Sequence, residues 1–155
     1  MNIQINEPTA PAADEEIVSM RVFKAPREHV FRAFSNPAVL AQWWGPKGFT
    51  NTIAEFDLKP GGNWRLTMHA PGGGEYHNES RFVEVTEPER IVFEHLGPVH
   101  WYCMTMSFDL DSFGTRLTWR MRFASVEEAG KLKQFIAIAN EQNFDRLEAC
   151  LAAMM

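Results

Sequence analysis

Two cysteines in 155 residues, Cys103 and Cys150, are too few and too far apart for a disulfide framework, and without a CxxC neither a zinc site nor a redox pair is implied. A reducing cytoplasm is the expected setting. No apolar run approaches the roughly 18 residues that a membrane-spanning helix needs. The opening stretch, residues 1–14, is polar, contains Pro8 and Pro11, and lacks the charged start and apolar core of a signal peptide; it reads as a flexible tail. No cluster of Lys or Arg offsets the formal net charge of −5, which excludes a phosphate-binding face and hence a nucleic-acid partner. GxSxG, a phosphate loop and GxGxxG are all missing. Gly72-Gly73-Gly74 precedes a strand pattern and reads as a hairpin turn.

What is present is organised around the last thirty residues. From Ser125 to Met155 the chain reads as one long helix, opened by a Ser125/Glu128 capping box. Apolar side chains recur at Leu132, Phe135, Ile136, Ala139, Phe144, Leu147 and Leu151, with charged and amide groups mainly between them. Burying about seven such groups contributes on the order of 10 to 20 kcal/mol gross, most of it offset by chain entropy. Such a stripe requires an equally apolar partner.

The preceding chain supplies it as a period-two pattern. Glu16 to Phe23 reads as a first strand with Val18, Met20 and Val22 inward; Pro26 to Ser35 and the Asn36-capped stretch through Trp44 read as two short helices, ended by Gly45-Pro46. Six further strands are predicted over Thr50 to Leu58, Asn63 to His69, Glu75 to Val85, Arg90 to His95, His100 to Leu110 and Gly114 to Phe123. Strong breakers separate them, among them Lys59-Pro60-Gly61-Gly62, which suits a type II turn. The expected architecture is α+β: a seven-stranded antiparallel sheet curved around a long C-terminal helix, with two short helices between strands 1 and 2. One domain spans residues 15–155.

Alternation decides which side chains meet the helix. Trp64, Leu66 and Met68 are expected inward in the third strand, Val83 and Val85 in the fourth, and Ile91, Phe93 and His95 in the fifth. Tyr102, Met104, Met106, Phe108 and Leu110 follow in the sixth, and Leu117, Trp119, Met121 and Phe123 in the seventh. The same parity sends Glu75, His77, Glu79 and Arg81 to the face of Val83, under the long helix. With five Trp, twelve Phe and eight Met, the interior reads either as a large ordinary core or as a mostly apolar pocket. An empty void of roughly 300 Å³ would cost about 7 kcal/mol, so a pocket of that size calls for an occupant.

The expected pocket residues are Trp44 behind the second helix, Trp64 and Met68, and Phe93 on neighbouring strands. Tyr102, Met104, Met106, Trp119 and Met121 are expected from the last two strands, and Phe135, Ala139 and Asn143 from the helix. His77 and Glu79 are expected to reach the pocket as well. With Arg81 they are the candidate catalytic groups, Glu79 or His77 serving as general base if chemistry occurs; alternatively all three sit at a strand end in water. Asn140, like Asn143, is expected to flank the helix stripe, either aiming an amide at a ligand or sitting at an edge in water. No metal is expected, because the His and Cys residues show no recognised ligand spacing and parity sends His69 and His77 to opposite faces.

These elements in this order resemble the START-like, or Bet v 1-like (SRPBCC), helix-grip superfamily, and within it the branch named after the activator of Hsp90 ATPase homologue 1. The resemblance is carried by Ala25-Pro26, Trp43-Trp44-Gly45-Pro46, Asp57 through Pro60-Gly61-Gly62, Glu87-Pro88-Glu89-Arg90-Ile91-Val92-Phe93 and Gly114-Thr115-Arg116-Leu117-Thr118, over Glu15 to about Leu151. It implies a cavity between sheet and helix that different members use for lipids, hormones or polyketides, and some for cyclisation or dehydration. Where many relatives have Gly-Trp midway along the last helix, this chain has Asn143-Phe144. With the apolar inward faces, the resemblance implies binding of an apolar or aromatic, lipid- or polyketide-like small molecule, and no cofactor is expected; the cysteines and the hydropathy lead to the expectation of a cytoplasmic protein that does not insert into membranes. A cyclase or dehydratase is the alternative. Chaperone activation is the third reading, disfavoured because eukaryotic activators are expected to carry an additional N-terminal domain and only residues 1–14 precede this fold. A homodimer is left open.

Overall fold

The computed structural model describes residues 12–154. Most of the tail expected over residues 1–14 therefore lies outside the described residues. The chain runs β1 (Glu16–Phe23), α1 (Arg27–Ser35), α2 (Pro37–Trp43), β2 (Thr50–Phe56), β3 (Asn63–His69), β4 (Glu75–Thr86), β5 (Arg90–Gly97), β6 (Tyr102–Asp111), β7 (Gly114–Phe123) and α3 (Val126–Met154). The strands form one antiparallel sheet in the order β1-β7-β6-β5-β4-β3-β2. The expected α+β grip of a sheet around a long helix is thus observed.

Local chemistry accounts for the boundaries. Asn36 caps α2, its side chain accepting from the Ala38 N–H, with Pro37 as first helical residue. Gly61, at φ +84°, supplies the left-handed third position of the Lys59–Gly62 turn, closed by the Gly62 N–H on the Lys59 carbonyl. A side chain at Gly62 is excluded outright, because its Cβ would sit 1.9 Å from the Asp57 carbonyl oxygen. At α3 only half of the capping box forms. Ser125 Oγ accepts from the Glu128 N–H, but the Glu128 carboxylate turns away to His100, 2.5 Å distant.

The inward faces of β3, β5, β6 and β7 are those expected, except that Leu110 at the end of β6 is 41% exposed, whereas three other assignments are corrected. In β1 the buried face is Ile17, Ser19 and Phe23, while Met20 is 44% exposed. The polar Ser19 and Arg21 share this face because α3 satisfies them. Ser19 accepts from Asn140, and Arg21 meets Glu141, Asp145 and Glu148 at 2.7, 2.9 and 3.2 Å.

In β4 the inward residues are Asn78, Ser80 and Phe82, and Val83 is exposed. The register shift between Phe82 and Glu84 inserts one residue, so Val85 does point inward but parity counted back from it fails. On α3 the inward line runs through Ala129, Leu132, Ile136, Asn140, Asn143, Leu147 and Leu151, whereas Phe135 is 72% exposed. The two asparagines complete the line, which a search restricted to apolar residues misreads.

The helices divide the space over the sheet into two unequal halves. Phe31, Phe34, Leu40 and Trp43 of α1 and α2 pack on Phe108 and Trp119, with the Trp43 indole donating to the Ala33 carbonyl at 3.0 Å. Helix α3 rests chiefly on β1 and, less, on β7. The inner faces of β3 to β6 are left without a helix directly against them at the other end, and there the interior opens.

Candidate ligand cavity

That opening is a cavity of about 130 Å³, partly open to solvent. Four strands give it an apolar floor: Trp64, Leu66 and Met68 from β3, Phe93 from β5, Met104 from β6, and Trp119 and Met121 from β7. The Trp44 ring closes one side, 5.0 Å from Trp64 and 5.4 Å from Trp119 between centroids. Ala139, Asn140 and Asn143 form the wall on α3. Short side chains at these helix positions are what leave the space unfilled. Left empty, 130 Å³ would cost about 3 kcal/mol.

The Trp43-Trp44-Gly45-Pro46 segment is fixed to α3 by two polar side chains. Asn143 donates to the Trp43 carbonyl at 2.8 Å and accepts from the Gly45 N–H at 3.2 Å, so both ends of its buried amide are used. Arg146 donates to the carbonyls of Gln42, Trp44, Gly45 and Pro46 at 3.0 to 3.1 Å. Among the described residues no carboxylate pairs with it, and burial pushes its pKa down. Gly45 itself sits at φ +99°, where an added Cβ would meet the Met68 methyl at 2.8 Å. Of the two tryptophans, Trp43 is a structural plug and Trp44 faces the cavity.

The polar corner of the cavity comes from β4 to β6. His95 is buried, stacks on Tyr102 at 4.6 Å, and holds its Nδ1 2.7 Å from the His100 carbonyl and its Nε2 2.7 Å from Asn78 Oδ1. A carbonyl only accepts, so Nδ1 carries a proton. Both nitrogens donate only in the charged ring, which burial opposes, lowering the His95 pKa. The Asn78 amide nitrogen donates to the Tyr76 carbonyl at 3.1 Å, which turns its oxygen toward Nε2. Burial also raises the pKa of the Tyr102 phenol, so both titratable groups of the wall are neutral near pH 7.

The His95 shift has a measurable consequence. Its folded pKa lies below the ordinary value of about 6.5, so below that pH the unfolded chain takes up a proton that the folded chain refuses. Stability then falls with pH until the folded ring protonates too. Urea unfolding between pH 7.5 and 5 is expected to show a steeper loss in the parent than in His95→Gln. Equal slopes would contradict the assignment.

Ten of the expected pocket residues line this cavity: Trp44, Trp64, Met68, Phe93, Tyr102, Met104, Trp119, Met121, Ala139 and Asn143. Four do not. Met106 faces inward but packs at the closed end against Phe34, Leu40 and Ile91, and Phe135 lies on the outside of α3. His77 and Glu79 are on the outer face of β4 with Arg81, opposite to the expectation that they project beneath the helix. There His77 bonds to Thr67, Arg81 pairs with Glu94 at 3.8 Å, and His69 shares the same outer face, bonded to Thr52 and Glu75. No group of three or more His, Cys, Asp or Glu residues placed to hold a metal occurs among the described residues. The cavity residues that alternation missed are Gly45, Pro46, Asn78, Ser80 and Asn140; His95 and Leu66 were read as inward but not as part of the pocket.

A curved antiparallel sheet gripping a long C-terminal helix over a cavity defines the chain as a START-like, helix-grip protein. The sequence profile of the activator of Hsp90 ATPase homolog 1-like proteins matches residues 24–152, and the chain belongs to that family. No curated protein matches it. Among solved structures it is similar to a protein of Nitrosomonas europaea, at 22% identity over 95% of this chain and 100% of the other, with a TM-score of 0.83. A Rhodobacter sphaeroides protein is similar at 23% identity over 94% and 97%, with a TM-score of 0.85. A Silicibacter pomeroyi protein bearing the family's name matches at 22% over 90% and 99%, with a TM-score of 0.70. Likeness at these identities establishes the fold. Among the described residues no helix is long and apolar enough to cross a membrane.

Proposed function

We propose that this chain binds an apolar or aromatic small molecule in the cavity between its sheet and α3. The carrying observation is the cavity itself: about 130 Å³, walled by aromatic rings and methionines, with a few polar groups at one corner. Three thioethers, Met68, Met104 and Met121, give the wall the adaptability that suits a ligand of irregular shape. The fold commonly houses ligands in this place, and lipid- and polyketide-like molecules are therefore the starting classes for a search.

The test is native mass spectrometry of the purified chain, organic extraction of anything released, and thermal melting against lipids, simple aromatics and polyketide-like compounds. A true ligand at a hundred times its Kd stabilises by about 2.7 kcal/mol, and raises Tm by roughly 5 to 10 °C for a domain of this size. Absence of both a bound molecule and any such shift would overturn the reading. If a cyclisation or dehydration is catalysed here, His95 and Tyr102 are the cavity groups that can exchange protons, since His77 and Glu79 face away.

A further inference from the structure

The size of the cavity and the charge of its wall narrow the ligand further, on the basis of the small-molecule reading above. We infer that the cavity selects an uncharged, single-ring aromatic carrying one hydroxyl or carbonyl group, a simple phenol being the type.

Size sets the first limit. An engineered apolar cavity of about 150 Å³ accommodates benzene, and this one measures about 130 Å³. One ring fits; a fused ring system or an acyl chain of lipid length does not fit without protruding through the mouth. The surrounding surfaces suit a ring. Trp44, Trp64 and Phe93 already meet one another edge to face at centroid distances of 5.0 to 6.4 Å, and a further ring extends the same packing.

Charge sets the second limit. Among the described residues no Lys, Arg, Asp or Glu lines the cavity. Its two titratable groups are held neutral by burial near pH 7, with His95 already engaged by Asn78 and His100. A carboxylate or ammonium in this space would be desolvated without a counter-charge, which costs far more than its ring gains.

Unused hydrogen-bonding capacity sets the third. Ser80 is 2% exposed and its hydroxyl bonds to no described residue; the same holds for the Tyr102 hydroxyl. Both hydroxyls belong to residues lining the cavity. A ligand hydroxyl or carbonyl within reach of either gains a hydrogen bond, which a plain hydrocarbon cannot do.

The experiment is calorimetric titration of the full chain with p-cresol, toluene, benzoate, naphthol and palmitate at pH 7.5. The expected order places p-cresol about tenfold tighter than toluene, the worth of one buried neutral hydrogen bond, and benzoate at least a hundredfold weaker than p-cresol. Naphthol and palmitate are expected to be weaker than p-cresol. Ser80→Ala and Tyr102→Phe, tested singly, should reduce the advantage of p-cresol while leaving toluene unchanged. The parent chain alone decides the matter if either variant fails to fold. Benzoate, naphthol or palmitate binding as tightly as p-cresol would overturn this ligand class and leave the small-molecule reading standing, and equal affinities for p-cresol and toluene would overturn its polar part. If none of the five binds, this ligand class falls, while the small-molecule reading stands or falls on the mass spectrometry and melting screen.

Discussion

Arg146→Ala is expected to cost the fold about 3 kcal/mol, seen as a lower urea midpoint and a Tm lower by roughly 6 to 12 °C. The side chain donates to four backbone carbonyls, of Gln42, Trp44, Gly45 and Pro46, at the point where α2 ends and the chain turns away over the cavity. Helix C-termini leave carbonyls without intrahelical partners, and here one guanidinium answers several of them together with the turn that follows. A hydrogen bond to a charged group contributes about 1.5 to 3 kcal/mol, and the loss is limited because water reaches part of the site. Alanine favours a helix slightly more than arginine, so the cost reflects the clamp and not α3 itself. Arg146→Lys keeps the charge but lacks the planar fork that reaches the Gln42 carbonyl through its second nitrogen, and should recover less than half of the loss. A change within about 0.5 kcal/mol for Arg146→Ala, the range of an ordinary surface substitution, would mean that the segment holds its place without the clamp.

The second large effect is expected from filling the cavity. Ala139 lies on the α3 wall, and Ala139→Phe places there a ring of about the size that a cavity of this volume admits. Two consequences follow from the same geometry. Affinity for a ligand found in the screen should fall at least a hundredfold, because the space is occupied. Stability should rise by about 0.5 to 2 kcal/mol, as for other cavity-filling changes. The sign of the stability change is the informative part. Inserting a ring into a closely packed core destabilises by about 1 to 3 kcal/mol, so a loss of that size, read from urea unfolding, would contradict the presence of usable space beneath α3.

The clamp and the cavity were legible in the sequence to different degrees. Strands β3 and β7 could be read to the residue because each alternates large apolar groups against polar ones between strong turns. The ten cavity residues found in advance come from such strands, from Trp44, and from the helix positions Ala139 and Asn143. What failed were the polar groups that face inward. Ser19 and Arg21 reversed the reading of β1, since their partners on α3 lie more than a hundred residues away and leave no local trace. Phe135 fits the apolar spacing, but Asn140 and Asn143 hold the inward line. In β4 the bulge after Phe82 displaced His77 and Glu79 from the inner to the outer face.

That last error had a remedy in the sequence. The hairpin around Ala70–Gly74 pairs His69 with Glu75, so counting outward from the turn sets Leu66 opposite Asn78 and Trp64 opposite Ser80. Residues directly opposite each other share a face, and two confidently inward positions in β3 thus identify the polar corner of the cavity. Parity counted from a turn held; parity counted through a bulge did not. The role of Arg146 had no such signal, because four carbonyl acceptors carry no side-chain identity.

The measurement that tests the account most directly is the methyl NMR spectrum of the methionines during titration with toluene. Met68, Met104 and Met121 line the cavity, Met106 packs at the closed end, and Met20 is exposed on the other face of the sheet. Bound toluene should shift the methyl signals of Met68, Met104 and Met121 through its ring current and leave Met20 and Met106 nearly unmoved. Saturating shifts confined to those three would place a small molecule between the sheet and α3. Uniform small shifts across all the methionines, or none at any concentration, would contradict a binding cavity there.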